Sequence, residues 1–145
     1  MQLGDTDFQE RLVTALNEDD GFVLETHWYD GSILLEADSQ RCWLKIYRGK
    51  VIDHLPFVPP LGYTFKVSAS EEAWSLLISG QRTFTDLATP GSRHFATLEE
   101  MEAGGGGDRP PEIAIEGNGF EAGRMHVALL HLASCLKATA SVVAV

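Results

Sequence analysis

Five histidines are the first residues to weigh as chemical groups, because imidazole exchanges protons readily near neutral pH. They are scattered along the chain, at His27, His54, His94, His126 and His131. His126 and His131 lie five residues apart, about 140° around a helix, so the two rings do not share the face that a metal pair needs. No histidine, cysteine or carboxylate grouping has the spacing of a three-ligand site. We therefore expect no bound metal and no cofactor.

Asp53 and His54 are candidates for general acid–base chemistry, because they precede a proline-rich loop of the kind that often carries catalytic residues. Neighbouring side chains on an extended chain point in opposite directions, so these two do not pair directly. Catalytic and phosphate-binding motifs are absent: the sequence contains no GxSxG, Walker loop or GxGxxG. Catalysis by a histidine therefore stays an alternative reading, with His27, His54, His94 or His126 as the acid or base.

The charge of the chain restricts its partners. The 145 residues include 21 Asp and Glu against 11 Lys and Arg, a net charge of −10. Phosphate backbones and anionic membranes repel such an acidic protein, so we expect no nucleic acid partner. No run approaches the ~18 apolar residues of a membrane span, so we expect no stable membrane insertion. The acidic N-terminal residues lack the pattern of a secretory signal, which predicts a cytoplasmic location.

The two cysteines, Cys42 and Cys135, both lie on predicted apolar faces. Two cysteines are too few for a disulfide scaffold, and a zinc site would need a Cys or Cys/His spacing that the chain lacks. We therefore expect two buried free thiols.

The first half of the chain predicts one helix followed by a three-stranded antiparallel meander. Thr6 and Gln9 match the capping box that opens a helix, and the helix is expected to end at residues 17–21. Asp30-Gly31 favours a hairpin turn between the first two strands. The alternating apolar residues that predict the three strands are Phe22, Leu24, Thr26 and Trp28, then Ile33, Leu35 and Ala37, then Cys42, Leu44 and Ile46.

A strand followed by a helix then occurs twice. Residues 63–69 alternate as a fourth strand, and Ser68 with Glu71 matches the capping box of a helix that ends at Gly80. The last strand spans residues 112–117, with Ile113 and Ile115 pointing inward.

The closing helix is predicted over about residues 122–138, and residues 139–145 form a hydrophobic tail. Residues 81–111 predict a long irregular insert that acts as a mobile flap. Its glycine run, 104–107, loses too much backbone entropy to be held cheaply in a helix or strand.

This order of elements resembles the sterol carrier protein 2 family over roughly residues 5–138. Residues 43–51, Trp-Leu-Lys-Ile-Tyr-Arg-Gly-Lys-Val, are similar to that family's central strand and glycine turn. Residues 65–74, together with Leu77 and Gly80, resemble its strand, capped helix and terminal glycine. Residues 115–118 with 127–130 resemble its last strand and closing helix. The insert at 81–111 looks longer than the family's usual link, and the N-terminal helix looks shorter.

The resemblance implies an α+β fold in which helices cover a single five-stranded, mostly antiparallel sheet. It also implies an internal apolar cavity that binds a sterol, fatty acid or acyl chain. We expect one such domain over residues 1–145. The residues predicted to line the cavity are Trp74, Leu77, Phe84, Phe95, Met101, Met125, Leu129, Leu132 and Leu136.

The expected function is therefore binding or carrying a small hydrophobic molecule. Two alternatives stay open: a small cofactor-independent enzyme that uses a histidine in the same cavity, and an accessory subunit of a larger enzyme. In the last case, or in a homodimer, the hydrophobic tail at Val142–Val145 would form the contact.

Overall fold

The computed structural model describes residues 1–88 and 112–142. Its helices are α1 (Thr6–Glu18), α2 (Asp20–Thr26), α3 (Glu71–Ile78), α4 (Phe84–Ala88), α5 (Gly119–Arg124) and α6 (His126–Val142). Its strands are β1 (Asp30–Ala37), β2 (Gln40–Tyr47), β3 (Lys50–Leu55), β4 (Phe65–Ala69) and β5 (Ile113–Gly117).

The five strands form one sheet in the order β3-β2-β1-β4-β5. The neighbours β1 and β4 run parallel, whereas the other three pairs are antiparallel. The predicted α+β fold with a five-stranded, mostly antiparallel sheet is therefore confirmed. Across residues 1–88 and 112–142, no helix is both long and apolar enough to cross a bilayer.

One face of the sheet packs against the helices. The alternating residues that were expected to share one face on β1 and β2, together with Phe65 and Val67 of β4, are fully or almost fully buried there. Of the other two residues predicted on that face of the fourth strand, Ala69 is half-buried, and Tyr63 lies before β4 and is 37% exposed. The buried strand residues share a single core cluster with the apolar residues of α1, α2, α3 and α6. The two-residue periodicity of these strands therefore places their side chains as predicted. The core residues contributed by these strands are Ile33, Leu35, Ala37, Cys42, Leu44, Ile46, Phe65 and Val67.

The prediction of a strand over residues 22–29 is wrong, because helix α2 lies there. The Asp19 carboxylate accepts a hydrogen bond from the Phe22 amide at 2.8 Å and so caps this helix. Phe22 and Thr26, one helical turn apart, are buried, whereas Leu24 is 65% exposed. The expected hairpin turn at residues 30–31 is also wrong, since both residues belong to β1.

Both predicted capping boxes are wrong by one or two residues. Asp5, not Thr6, caps α1 by accepting from the Phe8 amide at 3.0 Å. Ser70, not Ser68, caps α3. In each case the side-chain oxygen of the capping residue accepts from the amide three residues later, which is the hydrogen bond typical of an N-cap.

Strand β3 was not predicted, and helix α1 runs along its free edge. The Asn17 side chain accepts from the Val51 amide at 2.8 Å and donates to the Val51 carbonyl at 3.1 Å. The buried Gln9 amide group is within hydrogen-bond distance of the Leu3, Arg41 and Leu55 carbonyls. These side chains take the place of a neighbouring strand along part of the β3 edge.

The second half of the chain differs from its prediction at three points. The segment after Gly80 is not irregular throughout, because α4 forms there; the rest of the predicted insert, residues 89–111, lies outside the described residues. The closing helix is interrupted at Met125 and then continues to Val142. Ile113 is buried as expected, but Ile115 is 36% exposed, so its inward prediction is wrong. It lies on the edge strand, where no further strand covers it.

Candidate functional site

Seven of the nine residues predicted to line a cavity lie together in the core. They come from three separate helices and the junction before α6, and none is more than 6% exposed. Phe95 and Met101 lie outside the described residues. The seven are Trp74 and Leu77 on α3, Phe84 on α4, Met125 at the junction, and Leu129, Leu132 and Leu136 on α6.

Helix periodicity brings these side chains to one place. Leu129, Leu132 and Leu136 recur every three or four residues, so they lie on one face of α6, toward α3 and the sheet. Trp74 is anchored by its polar atom as well, because its indole Nε1 donates to the Glu36 carbonyl of β1 at 2.8 Å. One wall of the cluster is therefore rigid and tied to the middle of the sheet.

Helix α4 covers the cluster on the side of strand β5. It is only five residues long, and it contacts α3, α6 and β5. Its side chains Phe84 and Leu87 are 4% and 1% exposed, so they fill space inside the cluster. Its backbone also meets the start of β5, since the Leu87 carbonyl accepts from the Glu112 amide at 2.9 Å. Leu87 was not among the predicted site residues, because its segment lacked helical periodicity.

The sheet, the helices and their order can be compared with solved structures. The crystal structure of a sterol carrier protein 2 matches with a TM-score of 0.62 over 93% of this chain and 97% of that one, at 12% identity. The chain has the sterol carrier protein 2 fold. The solution structure of a conserved hypothetical protein from Thermus thermophilus, described as a candidate sterol carrier protein, matches with a TM-score of 0.61. That match covers 96% of this chain and 90% of the other, at 13% identity.

No family model and no curated protein matches the sequence. Identities of 12% and 13% establish a common fold, and the site must be read from this chain's own residues.

Within this sterol carrier protein 2 fold, the candidate acid–base residues lie away from the apolar cluster. None of the four histidines in the described part of the chain is buried: His27 and His126 are exposed, and His54 and His131 are half-buried. His27 is exposed with Nδ1 2.6 Å from the Leu24 carbonyl, and the Nδ1 atom of His54 lies 2.8 Å from the Gln9 side-chain oxygen. His126 is exposed at the start of α6, and His131 faces Asp19 at 3.5 Å. His94 lies outside the described residues.

The buried ionisable groups are held neutral. Burial raises the pKa of the Tyr29 hydroxyl, of the Cys42 thiol and of the Cys135 thiol, each to about 12. The nearby Asp19 carboxylate adds to the effect at Cys135, whose Sγ lies 3.7 Å from it. Neither thiol is therefore a nucleophile near neutral pH. Both cysteines are free and buried, as predicted. Residues 1–88 and 112–142 hold no group of three metal-ligating side chains.

Proposed function

We propose that this chain binds a small hydrophobic ligand, such as a fatty acid, a sterol or another acyl chain, between its sheet and helices α3, α4 and α6. The observation that carries the proposal is the convergence of seven predicted lining residues in one apolar cluster. The names of the solved neighbours, a sterol carrier protein and a candidate one, support the same class of ligand. Phe95 and Met101 remain proposed members of the site.

Room for the ligand comes from the outward movement of α4. The cluster is filled by its own side chains, so a ligand has to replace some of them. Exposing Phe84 and Leu87 costs about 1.5–3 kcal/mol for each side chain, or roughly 3–6 kcal/mol together. An open form of that free energy is present in roughly one molecule in 10² to 10⁴. We favour movement of α4 because it is the shortest helix covering the cluster; the movement also breaks the hydrogen bond between the Glu112 amide and the Leu87 carbonyl.

The ligand's own burial has to offset this opening. Each buried methylene group of an acyl chain contributes about 0.8 kcal/mol, so about eight methylenes offset the upper estimate. Binding should therefore depend steeply on chain length. Fatty acids of about six carbons should bind weakly, and those of about sixteen carbons should bind well.

The test is a thermal-denaturation series with saturated fatty acids of 6, 10, 14 and 18 carbons, together with cholesterol. Mass spectrometry of the freshly purified, denatured protein would be run in parallel to identify any lipid that co-purifies. We expect the melting temperature to rise with chain length. The absence of any shift across the series, with no lipid released on denaturation, would contradict the proposal.

The alternatives are less well supported. An enzyme that uses this cluster would need an acid or base within it, and the histidines at 27, 54, 126 and 131 all lie elsewhere. The cytoplasmic location remains a prediction. So does contact with a second copy or an enzyme through the tail, since residues 143–145 lie outside the described residues.

A further inference from the structure

A groove of about 730 Å³ lies on the outer surface between α1 and α6, and none of the predicted cavity residues lines it. Its lining includes the small side chains Ala15 and Ala138, and its α1 side carries three carboxylates. The lining residues are Asp7, Glu10, Arg11, Thr14, Ala15, Glu18, Ala138 and Thr139.

Thr139 is the polar residue that makes this groove a candidate binding site, and not simply a gap between two helices. Thr139 lines the groove although the residue is only 5% exposed. Its hydroxyl makes no hydrogen bond to any residue in the described part of the chain, whereas threonines in helices can usually donate to a carbonyl one turn earlier. This hydroxyl is therefore available to a group that enters the groove.

The charges around the groove favour a basic partner. Asp7, Glu10 and Glu18 are exposed, and no cation of the described chain lies within 4 Å of their carboxylates. The single cation among the groove's lining residues, Arg11, is turned toward the protein: its Nη1 atom donates to the Thr139 carbonyl at 3.5 Å, and it lies over the Phe8 ring. The lining of the groove thus combines three carboxylates that have no cationic partner among the described residues with two small apolar side chains.

The shape favours a helix. From residue 7 to residue 18 the α1 axis rises roughly 16 Å, the length of about three helical turns. The alanines in the lining allow the backbone of a third helix to approach closely. A small molecule is a poorer fit, because small-molecule sites enclose most of their ligand whereas this groove is open to solvent. A second copy of this chain is disfavoured, since it carries the same net charge of −10 and the same acidic α1.

We propose that the α1–α6 groove is a docking site for a basic amphipathic helix of a partner protein. Its Lys or Arg side chains face Asp7, Glu10 and Glu18, and its apolar stripe lies on Ala15 and Ala138. A polar side chain of that helix accepts a hydrogen bond from the Thr139 hydroxyl. This surface is separate from the apolar cluster, so docking does not require the proposed lipid binding.

The probe is a fluorescein-labelled 15-residue helical peptide with an Ala/Leu stripe, flanking lysines and one central Asn. Its control has glutamates in place of the lysines. Binding to the full chain is measured by fluorescence anisotropy at 50 and 300 mM salt, and the site is mapped by amide chemical shifts. We expect the lysine peptide to bind more weakly at high salt and the glutamate peptide not to bind.

Four variants test whether the peptide binds in this groove or is only attracted to the negative charge of the whole protein. Thr139→Val should weaken binding roughly two- to tenfold, the loss of about one hydrogen bond. The double change Glu10→Gln and Glu18→Gln should weaken it at least about fivefold at 50 mM salt. Its matched control, Glu71→Gln with Glu72→Gln on exposed α3 positions, should change it less than about twofold. Ala138→Phe, at an exposed position, should block the groove and abolish binding.

Equal losses in the two glutamate pairs would overturn the proposal, because they would show attraction to overall charge. Unchanged binding by the Ala138→Phe variant, or chemical-shift changes concentrated outside α1 and α6, would overturn it as well. Circular dichroism and melting temperature of each variant confirm that a loss of binding does not reflect unfolding.

Discussion

The two edges of the sheet are closed in different ways. At the β3 edge, Asn17 and Gln9 of α1 hydrogen-bond to the strand backbone. At the β5 edge, the short helices α4 and α5 pack against the strand, and the Leu87 carbonyl of α4 accepts from the Glu112 amide at 2.9 Å. Among the described residues, the first edge is held by side-chain hydrogen bonds to the strand, and the second is approached by α4 with two buried apolar side chains and one backbone hydrogen bond.

We infer from this difference where the molecule opens. Separating α1 from β3 would leave buried polar groups without hydrogen-bond partners. Each such group costs about 1–3 kcal/mol. Moving α4 away from β5 breaks one backbone hydrogen bond, between Glu112 and Leu87, and exposes two apolar side chains, whose neighbours a bound lipid would cover again. The α1 side therefore acts as the scaffold, and the α4 side is the proposed route of the ligand.

Among the variants that test this comparison of the two edges, the largest loss of stability is expected at Gln9. In the Gln9→Leu variant, the carbonyls of Leu3, Arg41 and Leu55 lose a donor and His54 loses its partner. We expect the free energy of unfolding in urea to fall by about 3 kcal/mol or more. Thr14→Ala, an exposed change on the same helix, should alter it by less than about 0.5 kcal/mol. A loss at Gln9 as small as that at Thr14 would mean that the polar edge does not stabilise the scaffold.

The edge itself is tested by Asn17→Ala. This change frees the amide and the carbonyl of Val51, which should cost about 1–2 kcal/mol and leave an unpaired strand edge. We therefore expect self-association that grows with concentration in sedimentation experiments. The matched control is Asn118→Ala, which removes the cap of α5 and should cost about 1 kcal/mol without self-association. A monomeric Asn17→Ala variant at all concentrations would show that the edge needs no such cover.

The smallest effect concerns how the free energy of unfolding depends on pH through a residue on the scaffold side. Cys42 on β2 has its pKa raised by burial from 9.0 to about 12, so the folded state favours the neutral thiol. Its contribution is fully present below about pH 9 and is lost as pH rises from 9 to about 12. In the Cys42→Ala variant, the fall in unfolding free energy between pH 8 and pH 10 should be smaller by about 1 kcal/mol. Tyr29 shifts in the same direction, so a fall remains; an unchanged slope would contradict the role of Cys42.

The fold was readable from sequence where one face of a strand is buried. The alternation of Ile33 with Leu35 and of Cys42 with Leu44 placed β1 and β2 correctly. The same alternation at Phe22 and Leu24 led to the wrong prediction of a strand. Over about seven residues, the apolar patterns of a short helix and of a strand differ little. Strand β3 escaped prediction because the sheet register shifts opposite it, between Lys45 and Ile46, which disrupts the apolar alternation.

The candidate site was partly readable as well. The three-to-four-residue spacing on α6 identified Leu129 and Leu132 as members of one apolar face, and they do lie in one cluster with Trp74. The surface groove could not be predicted from the sequence in this way. It depends on the contact between Arg11 and Thr139, which are 128 positions apart in the sequence. Contacts of that range follow from how helices pack, and no local pattern encodes them.

The most direct test of the account compares two buried phenylalanines, one on each side of the molecule. Phe84 covers the proposed ligand space, whereas Phe8 on α1 belongs to the scaffold, and both are almost fully buried. Each is changed to Ala, and to Leu in case the larger change prevents folding. Binding of a fluorescent C18 fatty acid is then titrated.

Because Phe84→Ala lowers the cost of opening by about 1.5–3 kcal/mol, it should tighten binding by roughly tenfold or more, while Phe8→Ala leaves affinity unchanged or weaker. Equal tightening in both variants, or weaker binding in Phe84→Ala alone, would contradict the claim that the ligand enters beneath α4.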